Sequence, residues 1–191
     1  MRTLYLLRHS LTEANEKRLY CGRTDLPLSD QGREIAAQTR QARPLPECDL
    51  YVTSGMTRAE ETLRLLTGRR SDRVIPDLAE MDFGRFEMQS YAALREDSDY
   101  QRWIGDETGE VCCPGGESTA LFRQRVVTGG KIMLDMPWRS AVAVCHGGTI
   151  VHLMQGWFPS EERNFYQWQP AACEGWRISF EKQDPVGFER I

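Results

Sequence analysis

The sequence predicts an α/β fold, because short apolar strands lead directly into helices along the chain. Leu4–Leu7 is an apolar run of strand length, and Ala141–Cys145 is a second such run. Asp49–Thr53 is a third strand, which passes through Ser54 and Gly55 into a helix. Strand, turn and helix in this order form the repeating unit of α/β folds. We therefore predict a sheet built largely from parallel strands.

The remaining elements are predicted from capping residues and helix breakers. Ser29 precedes the helix Asp30–Ala42, and Ser118 precedes the helix Thr119–Met136. Two adjacent glycines, at positions 129 and 130, are expected to kink or interrupt the second of these helices. Other helices are predicted at Met56–Thr67, Ser90–Arg95, Ser98–Ile104 and Thr149–Trp157, with a short one capped by Thr12. Short strands are predicted at Val74–Ile75, near Ala172–Phe180 and at Gly187–Ile191.

Composition limits the possible functions. The 191 residues are 40% hydrophobic, which is enough for one domain, alone or with a small cap. The formal net charge of -4 argues against general binding to nucleic acid or membranes. The six cysteines are scattered and form no Cys-x-x-Cys pair, and no secretory signal precedes the first strand. We therefore expect reduced thiols and a cytoplasmic protein.

Polar residues with useful chemistry follow three of the predicted strands. Arg8 and His9 end the first strand, Ser54 ends the second with Arg58 one turn into the next helix, and His146 ends the third. Parallel strands bring these ends to one edge of the sheet, where open α/β sheets bind ligands. A cluster of two guanidiniums and two imidazoles is unfavourable unless an anion fills it, and arginine is well suited to phosphate. The sequence thus predicts a phosphate site at this edge.

Several separated motifs occur in the order found in one protein family. Through them the chain resembles the histidine phosphatase superfamily, the phosphoglycerate-mutase-like proteins. The matching segments are Leu7–Asn15, Gly22–Gly32, Ser54–Thr62, Glu80–Glu87, Pro114–Ser118 and Cys145–Ile150. Each motif is weak alone, but together they cover most of the chain. The resemblance implies a three-layer α/β/α sandwich with a mostly parallel sheet, formed by one domain over residues 1–191, with residues 81–115 as a small helical cap over the site.

The resemblance also implies a mechanism without metal or cofactor. His9 would attack the phosphorus of a small phosphomonoester and form a phosphohistidine, and Glu80 would protonate the leaving oxygen and then activate water. The non-bridging phosphate oxygens would be bound by Arg8, Arg58 and His146. Asn15 and Arg23 would be further phosphate or substrate contacts.

Four positions depart from the family pattern. Ser10 stands where the family usually has glycine, so we expect its hydroxyl to narrow the space beside His9. Val151 replaces a frequent arginine, Phe86 a common tryptophan, and Met88 a common glycine.

Glu117 and Ser118 are expected to brace a loop and cap a helix near the site. His152 is expected to be structural or to line the pocket.

Three functions remain open at this stage. The favoured one is a phosphomonoesterase, because Glu80–Leu94 contains only one basic residue, Arg85, to hold a substrate carboxylate. Size and motif spacing are similar to the branch that contains the α-ribazole phosphatases, which makes α-ribazole phosphate a possible substrate. The alternative is a cofactor-dependent phosphoglycerate mutase, and a third is an inactive binding protein of the same fold. We expect no nucleic-acid or membrane partner and a monomer or homodimer.

Overall fold

The computed structural model describes the whole chain from Met1 to Ile191, which folds around one six-stranded sheet. The strands are β1 (Arg2–Arg8), β2 (Leu50–Thr53), β3 (Arg73–Val74), β4 (Ser140–Cys145), β5 (Gly175–Glu181) and β6 (Asp184–Arg190). The helices are α1 (Glu13–Glu16), α2 (Asp30–Ala42), α3 (Thr57–Thr67), α4 (Tyr91–Leu94), α5 (Ser98–Ile104), α6 (Thr119–Asp135), α7 (Gly147–Trp157) and α8 (Phe165–Trp168). No helix is both long and apolar enough to span a membrane.

The sheet is mostly parallel, as predicted. Its strand order is β3-β2-β4-β1-β5-β6, with β1 to β4 parallel to one another. β5 is antiparallel to β1, and β6 is antiparallel to β5. In the register of the three central strands, Arg8 pairs with Cys145, and Thr53 pairs with Val144. The three strands therefore end together at one edge of the sheet.

Each face of the sheet carries its own hydrophobic cluster, which confirms the three-layer arrangement. Leu4 and Leu6 of β1 pack in the cluster that contains α6 and α7. Leu7 belongs to the opposite cluster, with α2 and α3. This distribution follows from the alternation of side chains along a strand, and β4 shows it as well. Because helices cover both faces of the sheet, the edge at which the central strands end is left uncovered.

Most predicted helix boundaries are confirmed by their caps. Ser29 and Ser118 accept hydrogen bonds from the first turns of α2 and α6, and Gly68 ends α3 in the left-handed conformation. The two glycines within α6 do not interrupt it. A Cβ at Gly129 would lie 2.9 Å from Asp77 Cβ, and one at Gly130 would lie 2.7 Å from Leu153 Cδ2. These glycines allow close packing rather than a helix break.

Short helices between β3 and α6 are fastened by an aromatic cluster. Tyr20, Phe83, Phe86, Tyr100 and Trp103 pack with ring centroids 5.1 to 6.0 Å apart. The hydroxyls of the two tyrosines are 2.6 Å apart. Such contacts hold the segment rigidly next to the strand ends. The division into one domain with a cap at residues 81–115 stays a prediction.

Candidate active site

A cleft of about 430 Å³ opens at the edge where the central strands end. Four of the predicted site residues line it, namely Arg8, His9, Asn15 and Glu80. The rest of the wall is largely apolar and comes from the segment after α1, the segment around Glu80, and the helices α5 to α8 with the turn after α8. Its residues are Leu19, Tyr20, Cys21, Met81, Phe83, Trp103, Ile104, Thr119, Phe122, Gly148, His152, Phe165, Tyr166 and Gln169. The cleft therefore joins a polar base to an apolar wall.

His9 is held with one ring nitrogen bonded to the backbone. Its Nδ1 lies 2.6 Å from the carbonyl oxygen of Ser10. Because a carbonyl only accepts hydrogen bonds, Nδ1 carries the proton, and Nε2 keeps its lone pair. Burial lowers the pKa of His9 well below 6.5, and the charge of Arg58 lowers it further. The imidazole is therefore neutral at physiological pH.

His146 and Arg58 form a buried pair beneath His9. The rings of the two histidines are 5.1 Å apart. Arg58 Nε donates to His146 Nδ1 at 3.3 Å, and His146 Nε2 lies 2.8 Å from the Ser54 hydroxyl. Burial, followed by the charge of Arg58, lowers the pKa of His146 well below 6.5. Both nitrogens of His146 are thus engaged inside the protein, and its predicted contact with phosphate stays a prediction.

Arg58 is fixed by a loop that belongs to the segment Gly22–Gly32, one of the segments that match the family pattern. Its Nη1 donates to the carbonyl of Thr24 at 2.9 Å, and its Nη2 donates to the carbonyl of Gly22 at 2.7 Å. Arg58 is 1% exposed and does not line the cleft surface. Three of its five N–H groups donate to protein acceptors, and the other two make no hydrogen bond within the protein.

Glu80 lines the same cleft as His9, and its carboxylate lies at the N-terminus of α7. Its Oε2 accepts the backbone N–H of Gly148 at 2.9 Å, and its Oε1 accepts that of Met81 at 3.0 Å. A Cβ at Gly148 would lie 2.6 Å from Glu80 Oε1, so only glycine leaves room for this carboxylate. Burial lowers the pKa of Arg8, but the charge of Glu80 opposes that shift. The guanidinium of Arg8 and the carboxylate of Glu80 are therefore close enough to interact electrostatically.

Asn15 and Arg23, the two further predicted contacts, lie at different positions relative to the cleft. Asn15 lies in the cleft, where its Oδ1 accepts the N–H and hydroxyl of Thr12 at 3.0 Å each. Its amide NH₂ has no protein partner and is available to a ligand. Arg23 is exposed, lies outside the cleft wall, and its guanidinium makes no hydrogen bond. The structure thus brings Asn15 to the site and leaves Arg23 at its margin.

Ser10 does not narrow the cleft, contrary to expectation. Its hydroxyl donates to the carbonyl of Gly32 in α2 at 2.7 Å, and its N–H donates to the Thr62 hydroxyl at 2.9 Å. Ser10 is fully buried and does not line the cleft. The side chain points into the helix layer because a buried hydroxyl needs a partner, and Gly32 supplies one.

The other departures have simple structural explanations. Val151 and Phe86 are both fully buried in the hydrophobic core. Met88 has a φ of 59°, a left-handed conformation that glycine adopts at little cost. His152 lines the cleft as one of the expected alternatives, and its Nδ1 is buried without a partner. Burial lowers the pKa of His152 to about 4.

Sequence reasoning missed the role of Glu87, which organises the loop around Arg58. Its carboxylate accepts backbone N–H groups from Gly22 at 3.0 Å, Arg23 at 2.9 Å, Thr24 at 3.2 Å and Phe83 at 3.1 Å. The Thr24 hydroxyl donates to it at 2.7 Å. The only signal in the sequence was the place of Glu87 at the end of the matching segment Glu80–Glu87. Arg125, within the predicted helix Thr119–Met136, was missed in the same way.

Comparison with a family model gives a match over residues 4–187 to the histidine phosphatase superfamily (branch 1). An adenosylcobalamin/alpha-ribazole phosphatase of Escherichia coli is 35% identical over 127 residues, which are 64% of this chain and 62% of that protein. The chain thus aligns with less than two thirds of that relative's length.

Two further matches extend over nearly the whole chain. A protein named probable phosphoglycerate mutase GpmB, from Cronobacter sakazakii, is 28% identical and aligns with 93% of this chain and 91% of its own length. The crystal structure of the alpha-ribazole phosphatase from Shigella flexneri is 26% identical, with a TM-score of 0.85 and coverage of 96% of this chain and 93% of that one. The relatives thus carry both phosphatase and mutase names.

Proposed function

The chain belongs to the histidine phosphatase superfamily, and from this premise we propose that it is a metal-independent phosphomonoesterase that acts through a phosphohistidine. The observation that carries the proposal is the hydrogen bond between His9 Nδ1 and the carbonyl of Ser10. It fixes the tautomer in which Nε2 has a free lone pair. Because burial keeps the ring neutral, that lone pair is available for attack.

Charge at the base of the cleft supports binding of a phosphate group. Arg8 uses one N–H, from Nη1 to the carbonyl of Pro170 at 2.9 Å, and keeps four others. Arg58 is buried and does not line the cleft surface, so its contribution is its positive charge, and the amide of Asn15 adds an uncharged donor. Fixed donors of this kind stabilise the charge that develops during phosphoryl transfer, and losing one costs roughly 3–4 kcal/mol.

Glu80 is the proposed acid and base. In the first step, the lone pair of His9 Nε2 bonds to phosphorus, the ester P–O bond breaks, and protonated Glu80 transfers its proton to the leaving oxygen. In the second step, Glu80 takes a proton from water as the water oxygen bonds to phosphorus, and the P–N bond breaks. The products are an alcohol and inorganic phosphate, and both side chains return to their starting states.

The surroundings of Arg85 favour hydrolysis over mutase activity. This arginine pairs with Asp97 at 3.0 Å and Asp99 at 2.9 Å, and it does not line the cleft. Arg8 is the one permanently charged cation among the lining residues, and the phosphate group needs it. A phosphoglycerate carboxylate would therefore lack a cation of its own. The mutase remains the second candidate because a GpmB relative aligns with nearly the whole chain.

The substrate is proposed to be a small phosphomonoester, with α-ribazole phosphate as the first compound to test. This choice rests on the names of the E. coli relative and the S. flexneri structure. A panel of α-ribazole phosphate, p-nitrophenyl phosphate and 3-phosphoglycerate, assayed with EDTA, is expected to release inorganic phosphate. Isomerisation of 3-phosphoglycerate that exceeds hydrolysis would establish the mutase instead.

The phosphoenzyme provides the direct test of His9. Acid-labile, base-stable labelling by a ³²P-phosphomonoester is expected in the wild type and absent in His9→Ala. Turnover by His9→Ala at the wild-type rate would remove this residue from the mechanism. Absence of both labelling and phosphate release in the wild type would favour an inactive binding protein.

A further inference from the structure

The guanidinium of Arg125 binds the backbone on which Glu80 stands. Its Nη1 donates to the carbonyls of Asp77 and Ala79 at 3.0 Å each, and its Nη2 donates to the carbonyl of Glu80 at 3.1 Å. Nε and Nη2 also donate to the two carboxylate oxygens of Glu117, at 2.7 and 2.8 Å. All these contacts come from one side chain of α6.

Glu117 binds the backbone on the C-terminal side of Glu80. Its Oε2 accepts the N–H of Asp82 at 2.9 Å, and its own N–H donates to the carbonyl of Asp82 at 2.9 Å. Burial raises the pKa of Glu117, but hydrogen bonds from Arg125 and the N–H of Asp82 outweigh burial and leave the pKa lowered. The carboxylate is therefore ionised at neutral pH, and the bidentate pair persists there.

The segment around Glu80 is held by individual hydrogen bonds, and those outside the Arg125–Glu117 pair include Gly148 N–H to the Glu80 carboxylate and Phe83 N–H to the Glu87 carboxylate. Residues 79–83 belong to neither helix nor strand, so no regular backbone ladder fixes them. From α7, the Thr149 hydroxyl reaches the carbonyls of Leu78 and Ala79 at 3.3 and 3.1 Å. Arg125 and Glu117 are only 15% and 18% exposed, which limits competition from water. The pair is thus the main polar link between this segment and the long helix α6.

We propose that Arg125, paired with Glu117, is the positioning residue that holds Glu80 at the distance needed for proton transfer to the leaving oxygen. The inference rests on the proposed role of Glu80 as general acid. A carboxylic acid displaced by about 1 Å loses much of its effect, because proton transfer requires hydrogen-bond distance in the transition state. Arg125 itself touches neither substrate nor the reacting atoms.

Leaving-group dependence separates positioning of the acid from general stabilisation of the fold. Nitrophenolate departs without a proton, whereas the alkoxide of benzyl phosphate needs one. The ratio kcat/KM reports the first phosphoryl transfer, in which the leaving group departs. Arg125→Met is expected to lower kcat/KM for benzyl phosphate tenfold to hundredfold, and for p-nitrophenyl phosphate less than threefold. Arg125→Lys, with donors but no planar fork, should give an intermediate loss.

Control variants distinguish loss of the acid from loss of its positioning and from general effects of removing an arginine. Glu80→Gln is the reference for loss of the acid, and Arg85→Met removes a paired arginine from the neighbouring segment that does not hold Glu80. Arg85→Met should change both substrates less than twofold. Glu117→Gln keeps the size of the side chain, is expected to show the same selective loss, and provides the test if Arg125→Met does not fold.

The possible outcomes are distinct. If Glu80→Gln is selective for benzyl phosphate and the Arg125 and Glu117 variants reduce both substrates equally, positioning is overturned and the proposed role of Glu80 stands. If Glu80→Gln itself reduces both substrates equally, the proposed role of Glu80 is overturned, and the inference fails with it. Selective losses in all three variants support both.

Discussion

Replacing Glu87 by alanine tests whether the loop at residues 22–24 holds Arg58 in place. The carboxylate accepts four backbone N–H groups and one hydroxyl, and the loop in turn offers the carbonyls of Gly22 and Thr24 to Arg58. Alanine removes every acceptor at once. We therefore expect effects on both stability and catalysis.

The magnitudes follow from which groups water can reach. Gly22 is buried, so its N–H would be left unpaired, at a cost of about 1–3 kcal/mol. Arg23 is exposed, and water can replace its lost partner. With a smaller contribution from Thr24 and Phe83, the free energy of unfolding should fall by about 2–4 kcal/mol. Loosened carbonyls would also displace Arg58, and we expect kcat/KM to fall tenfold to hundredfold, equivalent to about 1.4–2.7 kcal/mol.

Urea unfolding and phosphate release measure the two effects separately. Activity should be compared at a temperature where more than nine tenths of each variant is folded. Glu96→Ala is the matched control, because this carboxylate is 88% exposed and pairs only with its neighbour Arg95; its stability should change by less than about 0.5 kcal/mol. If Glu87→Ala behaves like this control in both assays, the loop does not depend on Glu87, and the explanation for the position of Arg58 is wrong.

Three further predictions concern protonation and the departures from the family pattern. All three histidines have a pKa below 6.5, chiefly because of burial, so the unfolded chain gains protons below pH 6.5 that the native chain does not. The free energy of unfolding should therefore fall as pH drops, by up to about 1.4 kcal/mol per histidine and pH unit; imidazole ¹⁵N shifts that titrate between pH 6 and 7 would contradict this. Ser10→Gly removes a buried hydrogen bond to Gly32 and should cost about 1–2 kcal/mol in urea unfolding with kcat/KM within twofold, whereas a large gain in activity would show that the hydroxyl does obstruct the cleft. Met88→Gly relieves a left-handed backbone and should raise the free energy of unfolding by about 1 kcal/mol; a loss of stability would mean that Met88 packing outweighs strain.

The strand ends could be predicted because the sheet leaves a strong local signal. Short apolar runs that stop at Arg8 and His146 specify both the strand and its polar tip, and parallel pairing then brings the tips together. Helix boundaries were equally local, since Ser29 and Gly68 act through their own backbone neighbours. The α/β class, the largely parallel sheet and the nearness of the two histidines follow from these rules, whereas the three-layer arrangement was predicted from the family resemblance.

The direction and depth of single side chains could not be predicted in the same way. The side chain of Ser10 points toward α2 because the carbonyl of Gly32, 22 positions along the chain, accepts its hydrogen bond. No local sequence pattern predicts a contact between residues so far apart in the chain. Glu87 and Arg125 bind backbone groups mostly in loops, although Asp77, one partner of Arg125, lies in a short 3-10 helix. A carboxylate or guanidinium in such a position looks like an ordinary surface group until the fold supplies its partners.

In the proposed mechanism, the positive charges of Arg8 and Arg58 have two effects. They attract the phosphate dianion, and in the free protein their field disfavours protonation of His9 and His146. A bound dianion reverses that field and would favour imidazolium at His9. The proton could then enter only at Nε2, since Nδ1–H already donates to Ser10. Nε2 is also the atom that attacks phosphorus. When phosphorus is in close contact with Nε2, a proton has no room to bind there. His9 therefore stays neutral even though the negative charge of the bound dianion favours its protonation.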